Sequence, residues 1–157
     1  VTLANQTTDN GLAYVLKADE KTANYQTENI TLTFRHQLAK IRVKLEGAKA
    51  GDVTSVSVKS RTSCTVTEGN VTAGTDEGYI AMRQATYNGQ AYWEANVVPG
   101  VEIKDFLLNG NVDCQLTQTV MPQAGHVHEV NINVKPKFPV LADLQSASSY
   151  YKDLQSA

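Results

Sequence analysis

Residues 32–45, LTFRHQLAKIRVKL, constrain the fold more than any other stretch of this chain. Apolar residues alternate at Leu32, Phe34 and Leu38, with His36 in the same phase, and the pattern restarts at Ala39, Ile41, Val43 and Leu45. Period two is what a strand with one buried face requires, because successive side chains point to opposite sides. The step from Leu38 to Ala39 shifts the phase by one residue, which a bulge or a passage from one sheet to another absorbs. Phe34, Leu38, Ile41 and Leu45 also fall at helical spacing. A helix, however, leaves Ile30, Leu32 and Val43 off its buried stripe, and Thr31 and Thr33 favour extended chain. The stretch reads as strand.

The rest of the chain repeats this grammar of short apolar segments separated by turn signals. Residues 12–18 read as a first strand, with Leu12, Tyr14 and Leu16 in phase, followed by a polar turn region at 19–29. A glycine-bounded turn at 46–52 precedes Val56 and Val58, then Cys64 and Val66; residues 68–78 read as a loop. Asn88-Gly89 separates 79–87 from 90–98, and Asn109-Gly110 does the same before Val112, Cys114 and Leu116. Asn-Gly suits a type I′ hairpin turn because both residues tolerate positive φ. Trp93, Ala95 and Val97 share an inward phase, with Tyr92, Glu94 and Asn96 pointing outward. Val130, Ile132 and Val134 close the series, with Asn131 and Asn133 outward.

About seven to eight such strands and no convincing helix before residue 139 predict an all-β fold, an antiparallel β-sandwich. The sandwich is expected to occupy 1–137 as one domain. The tail, 138–157, carries DLQSA twice. Leu141, Leu144, Tyr151 and Leu154 suit a short amphipathic helix, the serine content suits a flexible tail, and a segment docking on a neighbouring subunit is a third reading.

The formal net charge of −2 lacks the basic face that a nucleic-acid partner needs. Arg35, Lys40, Arg42 and Lys44 lie along one strand and read as a solvated stripe. No apolar run approaches the ~18 residues of a membrane span. Val1 opens without a signal peptide, so an export signal or lipid anchor is expected to lie outside this sequence.

Enzyme signatures such as a nucleophile elbow, a phosphate loop or a zinc-protease motif are missing, and no cofactor or metal is expected. His126 and His128 are two apart, as a two-histidine clamp needs, with His36 as the third ligand if the fold brings it near. His128 continues the phase of Val130 and Ile132, which favours a packing role. Cys64 and Cys114 are either a candidate disulfide of an exported chain or two buried thiols. Tyr87 and Tyr92 flank a hairpin tip and raise carbohydrate stacking as an alternative.

Residues 32–45 also resemble the signature of the fimbrillin-like families, surface proteins and type V pilus subunits of Bacteroides-type bacteria. The resemblance rests on Phe34, His36, Leu38, Ala39, Ile41 and Val43, and is extended by AYWEANVVPG and QAGHVHEVNINV in the same order. It implies a packing role for His36 and a transthyretin-like sandwich. The implied function is a structural or adhesive subunit of a surface fimbria, exported as a lipoprotein and assembling by strand complementation with other pilus subunits. Proteolytic removal of a first strand opens the groove in such proteins, and Leu12, Tyr14 and Leu16 mark the candidate here. The first arginine is Arg35, so cleavage after arginine has no site before the signature. The alternative is a non-polymerising cell-surface lipoprotein domain that binds a host or bacterial glycan or a protein.

Overall fold

The computed structural model describes residues 1–26 and 29–135. Strands account for all the long elements among the described residues. They are β1 (Leu16–Ala18), β2 (Phe34–His36), β3 (Ala39–Glu46), β4 (Val56–Arg61), β5 (Cys64–Thr67) and β6 (Asn70–Ala73) in the first half. The second half holds β7 (Glu77–Ala81), β8 (Arg83–Tyr87), β9 (Gln90–Val97), β10 (Ile103–Leu108), β11 (Val112–Val120) and β12 (Val127–Asn133). One four-stranded sheet has the order β11-β10-β4-β7, and the other β12-β3-β9-β8. Two ribbons, β1-β2 and β5-β6, complete the described strands. The fold is the expected all-β sandwich, cut into more and shorter strands.

The two sheets share one core. Ala39, Ile41 and Val43 of β3 are fully buried, beside Ala95 and Val97 of β9 and Val130 and Ile132 of β12. From the other sheet come Val56, Val58, Ile80, Phe106, Leu108 and Leu116. A register shift between Ile103 and Asp105 lets Ile103 and Phe106, three apart, both face inward.

The phase shift at Leu38–Ala39 is a passage between sheets. Leu38 lies between β2, which pairs only with β1, and β3, which enters the second sheet; both Leu38 and Ala39 are buried. The first half of the pattern departs from expectation: Leu32 is 49% and Phe34 59% exposed. Among the described residues no layer covers that face of the β1-β2 ribbon, so its alternation has no core to face.

Four further differences follow from tertiary context. The last described strand, β12, runs parallel to β3, Val127 opposite Lys40 and Ile132 opposite Leu45, whereas every other ladder among the described residues is antiparallel. Residues 79–87 are not one strand, because Met82 passes from β7 in one sheet to β8 in the other. The expected loop 68–78 contains a third tight hairpin, with Glu68 at φ 52° and Gly69 at φ 79°. Its Glu-Gly turn lacks the asparagine that marks the other two, at Asn88 (φ 52°) and Asn109 (φ 52°). Finally, the expected strand at 12–18 is a strand only over Leu16–Ala18, leaving Leu12 and Tyr14 outside it, and that strand joins neither main sheet. The boundary expected at 137 and the tail 138–157 lie outside the described residues.

Candidate functional site

Each side of the sandwich is closed differently. On one side β7 and β8 are the outer strands of the two sheets, and the buried residue Met82 alone links them. The segment before β1 lies along this side. Leu3 N–H donates to Thr62 O at 2.8 Å, Ala81 N–H to Ala4 O at 2.9 Å and Gln6 N–H to Ala81 O at 3.1 Å. Leu3 and Gln6 are both buried there.

On the other side the outer strands are β11 and β12. Residues 121–126 join them at one end only. Among the described residues no strand pairs with the outer edge of either, so two backbone edges border the seam without a ladder beyond them. Where β11 begins and β12 ends, a cavity of about 250 Å³ opens between the sheets. Val53, Leu108, Val112, Cys114, Ile132 and Val134 line it, which makes its wall mainly apolar. An apolar slot between two unpaired strand edges is the geometry that accepts an extended peptide: the edges supply hydrogen bonds and the slot takes alternate side chains.

The outer face of the second sheet carries a polar cluster. Glu94 is fully buried, although its position alternates outward. Its carboxylate meets Arg83 Nε at 3.2 Å, Lys40 Nζ at 3.6 Å and Arg42 at 3.9 Å, and accepts a hydrogen bond from the Tyr87 hydroxyl at 2.7 Å. Burial, then the hydrogen bond to Glu94 and its charge, pushes the Tyr87 phenol above its ordinary value, with Arg42 opposing. The expected solvated stripe is therefore half-buried at Lys40 and Arg42. Long side chains folded over the sheet cover Glu94, which period-two counting cannot show.

Of the signature residues, Leu38, Ala39, Ile41 and Val43 are core, and His36 and Phe34 are exposed. His36 packs instead beside Tyr14, ring centroids 5.6 Å apart. Leu12 and Tyr14 lie outside any strand, so losing them with Leu16 removes no strand from either main sheet. No disulfide joins Cys64 and Cys114, both buried. Cys114 sits opposite Phe106, which sits opposite Val58, so Cys114 is two strand spacings (about 10 Å) from β4. Cys64 lies six residues beyond Val58, in the β5-β6 ribbon and not in this sheet, and a bridge needs Cα atoms within ~7 Å. Burial pushes the Cys64 thiol up.

The histidines do not assemble a metal centre: among the described residues no group of three metal-ligating side chains occurs. His128 Nε2 accepts a hydrogen bond from Gln123 N–H at 3.0 Å, and burial, then the charge of His126, lowers its pKa. Tyr87 and Tyr92 are neighbours at 6.0 Å but tilted by 53°, and the Arg42 guanidinium lies 4.1 Å over the Tyr87 ring. That arginine occupies the face a sugar would use. Leu3 and Gln6 escaped sequence reasoning, since isolated residues in irregular segments carry no period, whereas Glu94 follows the period of β9 and is buried by neighbouring side chains.

The profile of a protein family described as fimbrillin-like matches residues 1–148. No curated protein matches the chain significantly. A crystal structure of a candidate cell adhesion protein from Bacteroides uniformis superposes with a TM-score of 0.62 at 17% identity, covering 86% of this chain and 60% of that one. A second, from Bacteroides ovatus, gives 0.47 at 14% identity over 68% of this chain and 43% of that one. At 17% identity the Bacteroides uniformis likeness bears on fold alone, and this chain spans 60% of that protein's length.

Proposed function

Since this chain belongs to the fimbrillin-like family, we propose that it is a structural or adhesive subunit of a bacterial surface fimbria, assembled by strand complementation at the β11–β12 seam. The observation that carries this reading is the pair of unladdered strand edges bordering an apolar cavity. A donor strand there would hydrogen-bond along β11 or β12 and seat alternate apolar side chains against Leu108, Cys114 and Ile132. The sequence after β12 supplies a matching pattern, with Phe138, Val140, Ala142 and Leu144 in one phase. The partners are then other copies or other fimbrial subunits, and the site of action is the cell surface. A lipid anchor belongs to the same proposal and would be carried outside this sequence.

The seam requires no loss of Leu12, Tyr14 and Leu16. Trimming the first 18 residues would instead remove Leu3 and Gln6 from the core and unfold the sandwich. The test is therefore made at the other end. The full chain and a chain ending at Lys135 are compared on a non-boiled denaturing gel and by light scattering. A detergent-resistant ladder from the full chain alone supports complementation. Monomers in both, or ladders that survive the truncation, overturn it.

The alternative, a non-polymerising surface domain that binds a glycan or protein, draws support from a second cavity at the opposite end of β12, lined by Tyr14, His36, Lys40 and His126.

A further inference from the structure

We propose that this second cavity, between the β1-β2 ribbon and the first residues of β3 and β12, binds an acidic monosaccharide unit, a sugar ring bearing a carboxylate. Its volume is about 480 Å³, within the ~300–1,000 Å³ typical of small-ligand sites. Tyr14, His36, Lys40, Asn96, His126 and Val127 are on its wall.

The aromatic component is Tyr14. Its residue is 52% exposed, and the ring is tilted against His36 with centroids 5.6 Å apart. Among the described residues no arginine or lysine is stacked over it, in contrast to Tyr87 beneath Arg42. The C–H face of a sugar ring packs on such an amphipathic surface, as apolar atoms pack on any aromatic face. Val127, 49% exposed, extends the apolar wall.

The charge component selects the acid. No aspartate or glutamate lines the cavity, whereas Lys40 and two histidines do. Glu94 lies 3.6 Å from Lys40 Nζ, but it is shared with Arg42 and Arg83, and Glu129 meets only Arg42, at 3.7 Å, so two carboxylates face three cations and one positive charge remains in surplus. Lys40 is thus placed to meet a ligand carboxylate.

The polar component is preorganised. Asn96 Nδ2 donates to Ala13 O at 2.7 Å, and its backbone N–H is held by Gln6 Oε1 at 3.1 Å. His126 Nδ1 lies 3.0 Å from Ala124 O, which fixes the imidazole plane. Side chains fixed before binding lose little freedom on contact with sugar hydroxyls.

The inference is independent of strand complementation, and a missing gel ladder leaves it standing. Its test is calorimetric titration of the full chain with glucuronate and N-acetylneuraminate, against glucose and acetate. At least one acidic sugar should bind about tenfold more tightly than both glucose and acetate. Tyr14→Ala, at an exposed position, should weaken that binding about tenfold with an unchanged melting temperature, and His126→Gln should weaken it by a smaller factor. Lys40→Gln should remove the preference over glucose. Neither acid outbinding glucose overturns the proposal, as does binding indifferent to Tyr14→Ala. Acetate matching the acidic sugars overturns it as well, because the cavity would then hold a carboxylate and no sugar ring.

Discussion

The side-chain amide of Gln6 pairs with the backbone of Asn96 as a neighbouring strand would. Gln6 Nε2 donates to Asn96 O at 2.7 Å, and Asn96 N–H donates to Gln6 Oε1 at 3.1 Å. The ladder between β8 and β9 ends at the pair Arg83 and Glu94. Beyond it, β9 keeps β3 on one edge but has no strand on its β8 edge, and one glutamine amide supplies the next pair there. The same amide also donates to Leu3 O at 3.1 Å and accepts from Ala13 N–H at 3.1 Å, so all its capacity is used.

Removing that amide leaves buried backbone groups without partners. Gln6→Ala should destabilise the fold by about 2–3 kcal/mol, the upper part of the range of about 1–3 kcal/mol for an unsatisfied buried polar group. Gln6→Glu should cost at least as much, because an oxygen then faces Asn96 O. Urea titrations of the three proteins measure this. A loss below about 0.5 kcal/mol for Gln6→Ala would show that water replaces the amide.

Glu94 holds three cations in place with no exposure of its own. Glu94→Gln should destabilise by about 3 kcal/mol, as expected when one partner of a buried ion cluster is removed. Tyr87→Phe should cost about 1.5 kcal/mol for the hydrogen bond to a charged acceptor. Because both changes act on one contact, the double variant should lose less than the two single losses combined. Strict additivity in the cycle would mean the 2.7 Å bond between them contributes nothing.

His128 makes stability depend on pH. Its folded pKa is depressed, so the unfolded chain binds the proton more readily, near the ordinary value of about 6.5. The stability from neutral His128 is fully present above that value and is lost as pH falls below it toward the folded pKa. Unfolding free energy should therefore decline from pH 7.5 to 5.5, with a shallower decline in His128→Gln. Equal slopes in the two proteins would assign the pH dependence to other groups.

Cys64 and Cys114 should behave as two shielded thiols. A thiol reagent should titrate two groups in denatured protein without reductant, and react slowly with the native fold because burial holds the Cys64 thiol protonated. Reductant should leave gel mobility unchanged. Fewer than two reactive thiols after denaturation would show a bridge and contradict the strand geometry.

What could be read from the sequence was what period and turn chemistry encode. Ala39, Ile41 and Val43 were found because a strand with one covered face needs alternation, and Asn88-Gly89 because the turn needs positive φ. Phe34 misled because alternation reports a face, not what covers it. Glu94 misled in the opposite sense, since Lys40, Arg42 and Tyr87 bury it with side chains from the two flanking strands, β3 and β8. The seam between β11 and β12 depends on strand order, and the parallel partner of β3 sits near the other end of the chain. No local pattern carries that information.

That parallel pairing also orders events in time. β3 holds the most informative pattern in the sequence, yet its outer partner β12 is among the last described residues made. Until β12 arrives, β3 can pair with β9 alone, and Val43 and Leu45 lack their neighbours Val130 and Ile132. Contacts so distant in sequence form slowly, because a long loop must close before they can repay its lost entropy. A nascent chain would thus carry an open β3 edge while residues 47–126 are made, the interval in which a chaperone or a stray strand has its best access.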